Sequence, residues 1–241
     1  MNNGTQVNIS FAANPRLATA YDKIVVKMHL QKQHQNDTVF LVCGTDPKVG
    51  ATTSSVFLAR GLAQSGKTVL LLDGDMRKGW NAGEDKGVAT LSEYLAGRIS
   101  MEKIIYGTSV ERMDIIPGGT AASPVQLLCS DNMKNLIDAV KSQYDFVIID
   151  IPSAGAASDS NAVIGLVDQV ILVASPERSY KKQIIECFET YKKYGASLLG
   201  VIVNRVDKYG YHDYVKNDNY YVGNKEKELR VIGRLFGRKK K

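Results

Sequence analysis

The hydrophobic positions along the chain alternate between short apolar runs and longer stretches with helical spacing. Six runs rich in Val, Ile and Leu predict buried strands: residues 39–43, 69–72, 113–116, 146–149, 169–173 and 198–203. The stretches around them predict helices: residues 16–33, 53–64, 91–95, 101–105, 123–128, 132–142, 158–167 and 179–194. Strands that are apolar on both faces and separated by helices are typical of a parallel sheet with right-handed crossovers. The pattern therefore predicts an α/β fold, a doubly wound, mostly parallel sheet with helices on both faces.

The pattern divides the chain into three predicted parts. Residues 1–37 form a polar leader and a first helix, residues 38–206 form the sheet domain, and residues 207–241 form a polar tail. No window reaches the roughly 20 apolar residues of a transmembrane helix. The first stretch also lacks the apolar run of a secretion signal. We therefore expect a cytoplasmic protein.

The turn after the first predicted strand carries the first candidate chemistry. The candidate nucleotide-binding residues in it are Pro47, Lys48, Val49, Gly50, Ala51, Thr52 and Thr53. A strand, a Gly-containing loop and a helix form a P-loop, in which backbone N–H groups bind phosphates and a hydroxyl, here that of Thr52, binds Mg²⁺. Two positions depart from the standard pattern, because Thr45 replaces its first glycine and Ala51 replaces its lysine. Taken alone, this loop is a weak signal.

Carboxylates follow two other predicted strands. Asp73 and Asp75 end one strand, with Arg77 two residues further on, and Asp150 ends another. Ligands of open α/β sheets bind at the carboxyl ends of the strands. Asp73, Asp75 and Asp150 are therefore the candidate catalytic residues. Asp73 and Asp150 join Thr52 as candidate Mg²⁺ ligands, and Arg77 is a candidate nucleotide contact.

The last predicted strand ends in Asn204. Its side-chain amide has donors and an acceptor that match the edge of an adenine base. Four such motifs in this order predict a P-loop NTPase-like domain with ATP and Mg²⁺ as its cofactors.

Four segments carry a resemblance to a known family. Residues 73–78 and 149–152, the helix at 91–97 and the Gly-rich segment at 116–119 resemble the bacterial tyrosine kinases of capsule and exopolysaccharide production. The resemblance covers roughly residues 19–221. It implies autophosphorylation of a C-terminal tyrosine cluster, a transmembrane activator or polysaccharide co-polymerase as partner, and a ring of subunits. The implied phosphoacceptors are Tyr209, Tyr211, Tyr214, Tyr220 and Tyr221.

Two departures from this family keep other functions open. Ala51 removes a lysine that stabilises charge in phosphoryl transfer. The family's oligomerisation pattern falls on Thr19, Asp22 and Val25, none of which matches it. One alternative is a pseudokinase, a nucleotide-sensing scaffold. Another is a positioning ATPase, because residues 49–53 also resemble the loop of pilus-localisation ATPases related to the septum-site ATPases.

The end of the chain is basic. The formal net charge is +6, and much of the excess lies from Lys225 to Lys241. Leu229, Ile232, Leu235 and Phe236 have helical spacing among these charges, which is typical of an interfacial membrane helix. A helix docked on the domain or on a partner protein is the alternative, and nucleic acid is not expected. We therefore expect peripheral association with the inner face of the plasma membrane.

Overall fold

The computed structural model describes residue 7, the backbone of residues 15–19, and residues 20–77, 87–154 and 159–206. The strands are β1 (Val39–Gly44), β2 (Val69–Asp73), β3 (Tyr106–Gly107), β4 (Met113–Ile116), β5 (Phe146–Ile151), β6 (Gln169–Ala174) and β7 (Ser197–Val203). The helices are α1 (Pro15–Gln35), α2 (Ala51–Gln64), α3 (Leu91–Leu95), α4 (Pro124–Leu128), α5 (Asp131–Lys141), α6 (Asp159–Val163) and α7 (Lys181–Lys193). None of the helices in these ranges is long and apolar enough to cross a membrane.

The strands form one sheet in the order β3-β4-β2-β5-β1-β6-β7. Every neighbouring pair is parallel except β3 and β4. Parallel neighbours need long crossovers, and the helices between successive strands supply them. The predicted mostly parallel, doubly wound α/β fold is confirmed.

The sheet is buried on both faces, as β1 illustrates. Leu41 packs into the apolar cluster on one face, which includes residues of α3, α5 and α7. Its neighbour Phe40 packs into the cluster on the other face, with residues of α1 and α2. Successive side chains of a strand point to opposite faces. Because both faces are covered, the strand has no polar face, and this is why it is apolar throughout.

One short strand was not predicted. Residues 101–105 were expected to form a short helix, and the structure has a 3₁₀ helix at Met101–Lys103, but the strand β3 that follows it was missed. Tyr106 and Gly107 pair antiparallel with Ile115 and Asp114 of β4. A two-residue strand has no period to detect, and its pairing depends on a distant partner. The division into three parts stays a prediction.

The strand order determines where the candidate residues meet. β5 lies between β1 and β2, so the carboxyl ends of these three strands are adjacent. The loop to α2 leaves β1 there, Asp73 ends β2, and Asp150 lies near the end of β5. Motifs that are far apart in sequence are therefore neighbours at one edge of the sheet.

Candidate active site

The loop between β1 and α2 depends on a glycine in the left-handed conformation. Gly50 has a φ of 95° and lies directly before α2. A Cβ at this position would collide with the side-chain amide of Asn204. That amide donates from Nδ2 to the carbonyl oxygen of Val49 at 2.9 Å. Only glycine fits here, because both the dihedral angle and the close approach exclude a side chain.

The first turn of α2 carries the candidate phosphate-binding groups. Its N-cap is Gly50, which offers no side-chain cap. Within the loop and helix, the amide of Ser54 donates back to the carbonyl of Gly50 at 3.0 Å. The amides before it are the usual unsatisfied donors of a helix N-terminus, where the positive end of the helix dipole lies. Thr52 and Thr53 are exposed at this turn. The geometry fits a phosphate group.

Ala51 leaves the loop without a lysine at its usual place. Its methyl group packs against the apolar cluster between α2 and the sheet. Lys48 lies in the same loop. It directly follows the exposed Pro47, and it is exposed too. The φ of Lys48 is 63°, which is the left-handed region that usually favours glycine. Because Lys48 lies at the loop tip and not on α2, the two positions are not equivalent.

Asp150 is the buried acid of the site. It is only 4% exposed and lies in register with Asp73 on the neighbouring strand. Burial raises the pKa of Asp150 to about 7, with a further contribution from the negative charges of Asp73 and Asp75. The hydroxyls of Thr52 and Ser55 act in the opposite direction. A carboxylate that is costly to ionise alone is suited to a bound cation, which favours its charged form.

Asp73 and Asp75 belong to a tight turn after β2. The amide of Asp75 donates to Oδ1 of Asp73 at 2.9 Å, and the amide of Arg77 donates to Oδ1 of Asp75 at 3.2 Å. The amide of Gly74 donates to the carbonyl of Asp150 at 2.7 Å. These hydrogen bonds orient both carboxylates from the backbone and tie the turn to β5. The structure thus brings all three candidate acids to one edge.

Arg77 points to α6. Its guanidinium binds Asp159 through both terminal nitrogens, and the Nη2–Oδ1 distance is 2.8 Å. This hydrogen bonding raises the pKa of Arg77. The side chain of Asp159 is fully buried, so the pair neutralises a carboxylate that would otherwise be costly to bury. Arg77 therefore links the β2 turn to α6, and its predicted contact with nucleotide stays a prediction.

The loop after β4 closes the site beside Asp73. A Cβ on Gly118 would lie 2.9 Å from the carbonyl oxygen of Asp73 and 3.2 Å from its Cγ. A larger residue would therefore push on the candidate acid itself. The glycine lets the loop backbone pack directly against Asp73.

The side-chain amide of Asn204 forms two hydrogen bonds within the protein. Besides its Nδ2 bond to Val49, its Oδ1 accepts the amide of Arg205 at 2.9 Å. Its side chain therefore has at most one further donor for a base. The predicted adenine contact is not tested by these bonds.

The residues present fit Mg²⁺ only together with a nucleotide. The described ranges contain no group of three or more His, Cys, Asp or Glu side chains that could hold a metal ion. Mg²⁺ usually takes one or two carboxylates with phosphates and water. The Thr52 hydroxyl, Asp150 and Asp73 beside a phosphate cradle match that donor set.

Two residues at this edge of the sheet were not predicted from the sequence. Ser55 is fully buried, and its hydroxyl donates to Oδ1 of Asp150 at 3.0 Å. It lies three residues after Thr52 on α2, so helical spacing could have suggested it. No spacing in the sequence indicates Asp159, because it meets its partner Arg77 only in the folded chain. The predicted phosphoacceptor tyrosines and the basic tail lie outside the described residues.

The comparisons with known proteins agree with this geometry. The family model described as AAA domain matches residues 44–198. Tyrosine-protein kinase CpsD of Streptococcus pneumoniae serotype 4 is 30% identical over 180 residues, covering 71% of this chain and 79% of that protein. A Klebsiella pneumoniae relative is 30% identical over 190 residues, but this chain spans only 26% of its length.

Solved structures of a tyrosine kinase and of a septum-site protein are similar to this chain. The kinase domain of the Escherichia coli tyrosine kinase ETK superposes with a TM-score of 0.77 at 29% identity, covering 86% of this chain and 84% of that one. The septum site-determining protein MinD from Pyrococcus horikoshii OT3, complexed with Mg-ADP, superposes with a TM-score of 0.61 at 28% identity, covering 81% and 76%.

Fold, loop and matched model together define a P-loop protein of the AAA-domain class. Within that class, the chain belongs to the family of bacterial tyrosine-protein kinases of capsule and exopolysaccharide biosynthesis.

Proposed function

We propose that the chain binds Mg-ATP at the carboxyl edge of its sheet and transfers the γ-phosphoryl group to its own C-terminal tyrosines. The observation that carries this proposal is the meeting of Asp73, Asp75 and Asp150 with the first turn of α2. Phosphoryl transfer requires positioned phosphates, a cation and a group that accepts the proton of the attacking hydroxyl. This edge supplies residues for each of these.

Each residue of the site has a distinct role in the reaction. The amides at the start of α2 would hold the phosphates, and Thr52 and Asp150 would hold Mg²⁺. The ion, when bound, offsets the charge that develops on the phosphates. Asp73 or Asp75 accepts the proton of the tyrosine hydroxyl as its oxygen bonds to the γ-phosphorus. The bond from that phosphorus to the leaving oxygen of ADP breaks in the same in-line step.

Ala51 is the weak element of this arrangement. Removing one preorganised donor from a reacting oxyanion costs about 10²- to 10³-fold in rate. We therefore expect a slow kinase, whose acids are in place while its phosphate loop lacks a cation on α2. This departure favours a second candidate, a nucleotide-binding pseudokinase or a positioning ATPase, and MinD shares the fold.

Phosphotyrosine mapping distinguishes the candidates. The purified chain is incubated with Mg-ATP, with and without the cytoplasmic segment of a transmembrane activator, and phosphotyrosine is located by mass spectrometry. The kinase predicts label on Tyr209, Tyr211, Tyr214, Tyr220 or Tyr221 that is lost in Asp73→Ala and Asp75→Ala. Asp138→Ala is the matched control, because Asp138 is an exposed acid of α5. Nucleotide binding without label would replace the kinase by the pseudokinase.

The proposal extends to partners and location. A transmembrane polysaccharide co-polymerase is the expected activator, and within a homo-oligomer the γ-phosphoryl group passes from ATP on one subunit to a C-terminal tyrosine of a neighbouring copy of the chain. The basic segment from Lys227 to Lys241 is proposed to bind the anionic inner surface of the plasma membrane. Deleting residues 227–241 should abolish co-sedimentation with anionic liposomes. Unchanged co-sedimentation would refute the membrane role.

A further inference from the structure

A second cleft opens beside the candidate active site, between α3 and the segment that follows β4. Its volume is about 620 Å³, and much of its lining is polar. The polar residues that line it include Thr90, Ser92, Arg98, Thr120, Ser123 and Gln126. The roles assigned above to the loop, the acids and α2 leave this cleft without a function.

The cleft and the candidate acids share one wall. Gly119 and Thr120 line the cleft, while the preceding Gly118 packs directly on Asp73. The amide of Ala121, another lining residue, donates to the carbonyl of Met76 at 2.9 Å. A single stretch of backbone therefore separates the cleft from the turn that carries Asp73.

The cleft offers hydrogen-bond donors to an acidic ligand. Among the described residues that line the cleft, the one carboxylate is Glu93, which accepts from the amide and the hydroxyl of Thr90, both at 2.9 Å, and so caps α3. Arg98 is exposed, and its side chain forms no ion pair with any residue that the structure describes. Thr120, Ser123 and Gln126 add polar side chains to the exposed guanidinium of Arg98, and polar groups around a cation are usual elements of carboxylate recognition.

The chain itself contains a matching ligand. Among the C-terminal tyrosines, Asp213 directly precedes Tyr214, and Asp218 lies two residues before Tyr220. An extended chain advances about 3.3 Å per residue. A segment whose aspartate is held in the cleft would thus keep the neighbouring tyrosine within roughly 3 to 7 Å of that aspartate, beside the backbone that packs on Asp73.

We infer that this cleft binds the tyrosine-bearing segment 209–221 through its two aspartates, and that Arg98 is a specificity-determining residue for it. The inference rests on the proposed function, because it assigns that segment as the acceptor. Arg98 meets an aspartate of the segment, and the polar lining hydrogen-bonds its backbone.

Photo-crosslinking in the full chain tests the inference without requiring catalysis. A photoreactive amino acid replaces the exposed Thr120, and the cross-linked peptides are identified by mass spectrometry. Cross-links to residues 207–222 are expected. Arg98→Glu should lower their yield about fivefold, since an exposed ion pair contributes at most about 1 kcal/mol.

Two controls make the outcome decisive. Arg112→Glu changes a comparably exposed arginine at the other end of β4 and should leave the yield unchanged. Adding Asp213→Arg and Asp218→Arg to Arg98→Glu should restore the yield. Cross-links that persist in Arg98→Glu, or that fall equally in Arg112→Glu, would overturn the inference.

The inference and the proposed function can fail separately. If no phosphotyrosine forms but the cross-links depend on Arg98, the kinase function is refuted and the binding of the segment in the cleft is supported. Phosphotyrosine that forms equally in Arg98→Glu, together with cross-links outside residues 207–222, would retain the kinase and refute the cleft.

Discussion

The two halves of the candidate site differ in how completely they are equipped. In the acidic half, Asp73 and Asp150 lie in register on adjacent strands, and Asp75 is held by a backbone turn. In the phosphate half, the helix terminus and the glycine turn are present, but Ala51 stands where the family has its lysine. Under the proposed function, we expect nucleotide binding and proton transfer to be retained and stabilisation of the developing charge to be weakened.

The largest effect is expected in the acidic half. Asp73→Ala removes both a candidate proton acceptor and a candidate Mg²⁺ ligand. Phosphotyrosine formation should fall by about 10³-fold or more, while the chain stays folded. Initial rates of autophosphorylation measure this. A fall of the same size in Asp138→Ala would show that the assay reports folding and not chemistry.

In the phosphate half, a gain is expected. Ala51→Lys places a cation on the first turn of α2, beside the phosphate cradle, and should raise the rate about 10²-fold. Ala51→Met is the matched control, because it adds similar length without charge. If Ala51→Met raises the rate as much as Ala51→Lys does, the missing positive charge does not explain the slow reaction.

A smaller effect is expected where the halves meet. Ser55→Ala removes the hydroxyl that donates to Asp150 and should lower the rate up to about tenfold, the equivalent of one hydrogen bond. Raising the Mg²⁺ concentration should recover part of the loss, which a purely structural defect would not show. Ser65→Ala is the control, since the Ser65 hydroxyl at the far end of α2 bonds to the Leu62 carbonyl and to His29, away from the loop.

The smallest effect is expected at the opposite edge of the sheet. Burial of Asp168 opposes ionisation, but Lys141 and the amides of Val39 and Thr38 lower the pKa of its carboxyl below the usual value. The carboxylate therefore stabilises the fold above its unfolded pKa of about 3.9, and this stability is lost as the pH falls through the folded pKa.

Asp168→Asn should therefore cost about 1 kcal/mol at pH 7 and progressively less below about pH 4. Urea unfolding at several pH values measures the difference, and nucleotide affinity should stay unchanged. A constant difference across this pH range would contradict the assignment.

Much of the sheet could be predicted from the sequence, because its strands are buried on both faces and read as apolar runs. Residues 91–95 and 113–116 were placed without error. β3 could not be predicted, because its two residues depend on pairing with β4. The same limit applies to the site. Asp73 and Asp150 end apolar strands and could be found, whereas Asp159 pairs with Arg77 across 82 residues, a contact that only the fold creates.

A double-mutant cycle tests most directly whether the two halves act on one phosphoryl group. Autophosphorylation rates are measured for the unchanged chain, Ala51→Lys, Asp73→Ala and the double variant under saturating Mg-ATP. If both halves act in the same transfer, lysine at residue 51 raises the rate about 10²-fold when Asp73 is present and has no effect when it is absent. An equal gain in both backgrounds, or no gain in either, would contradict this account.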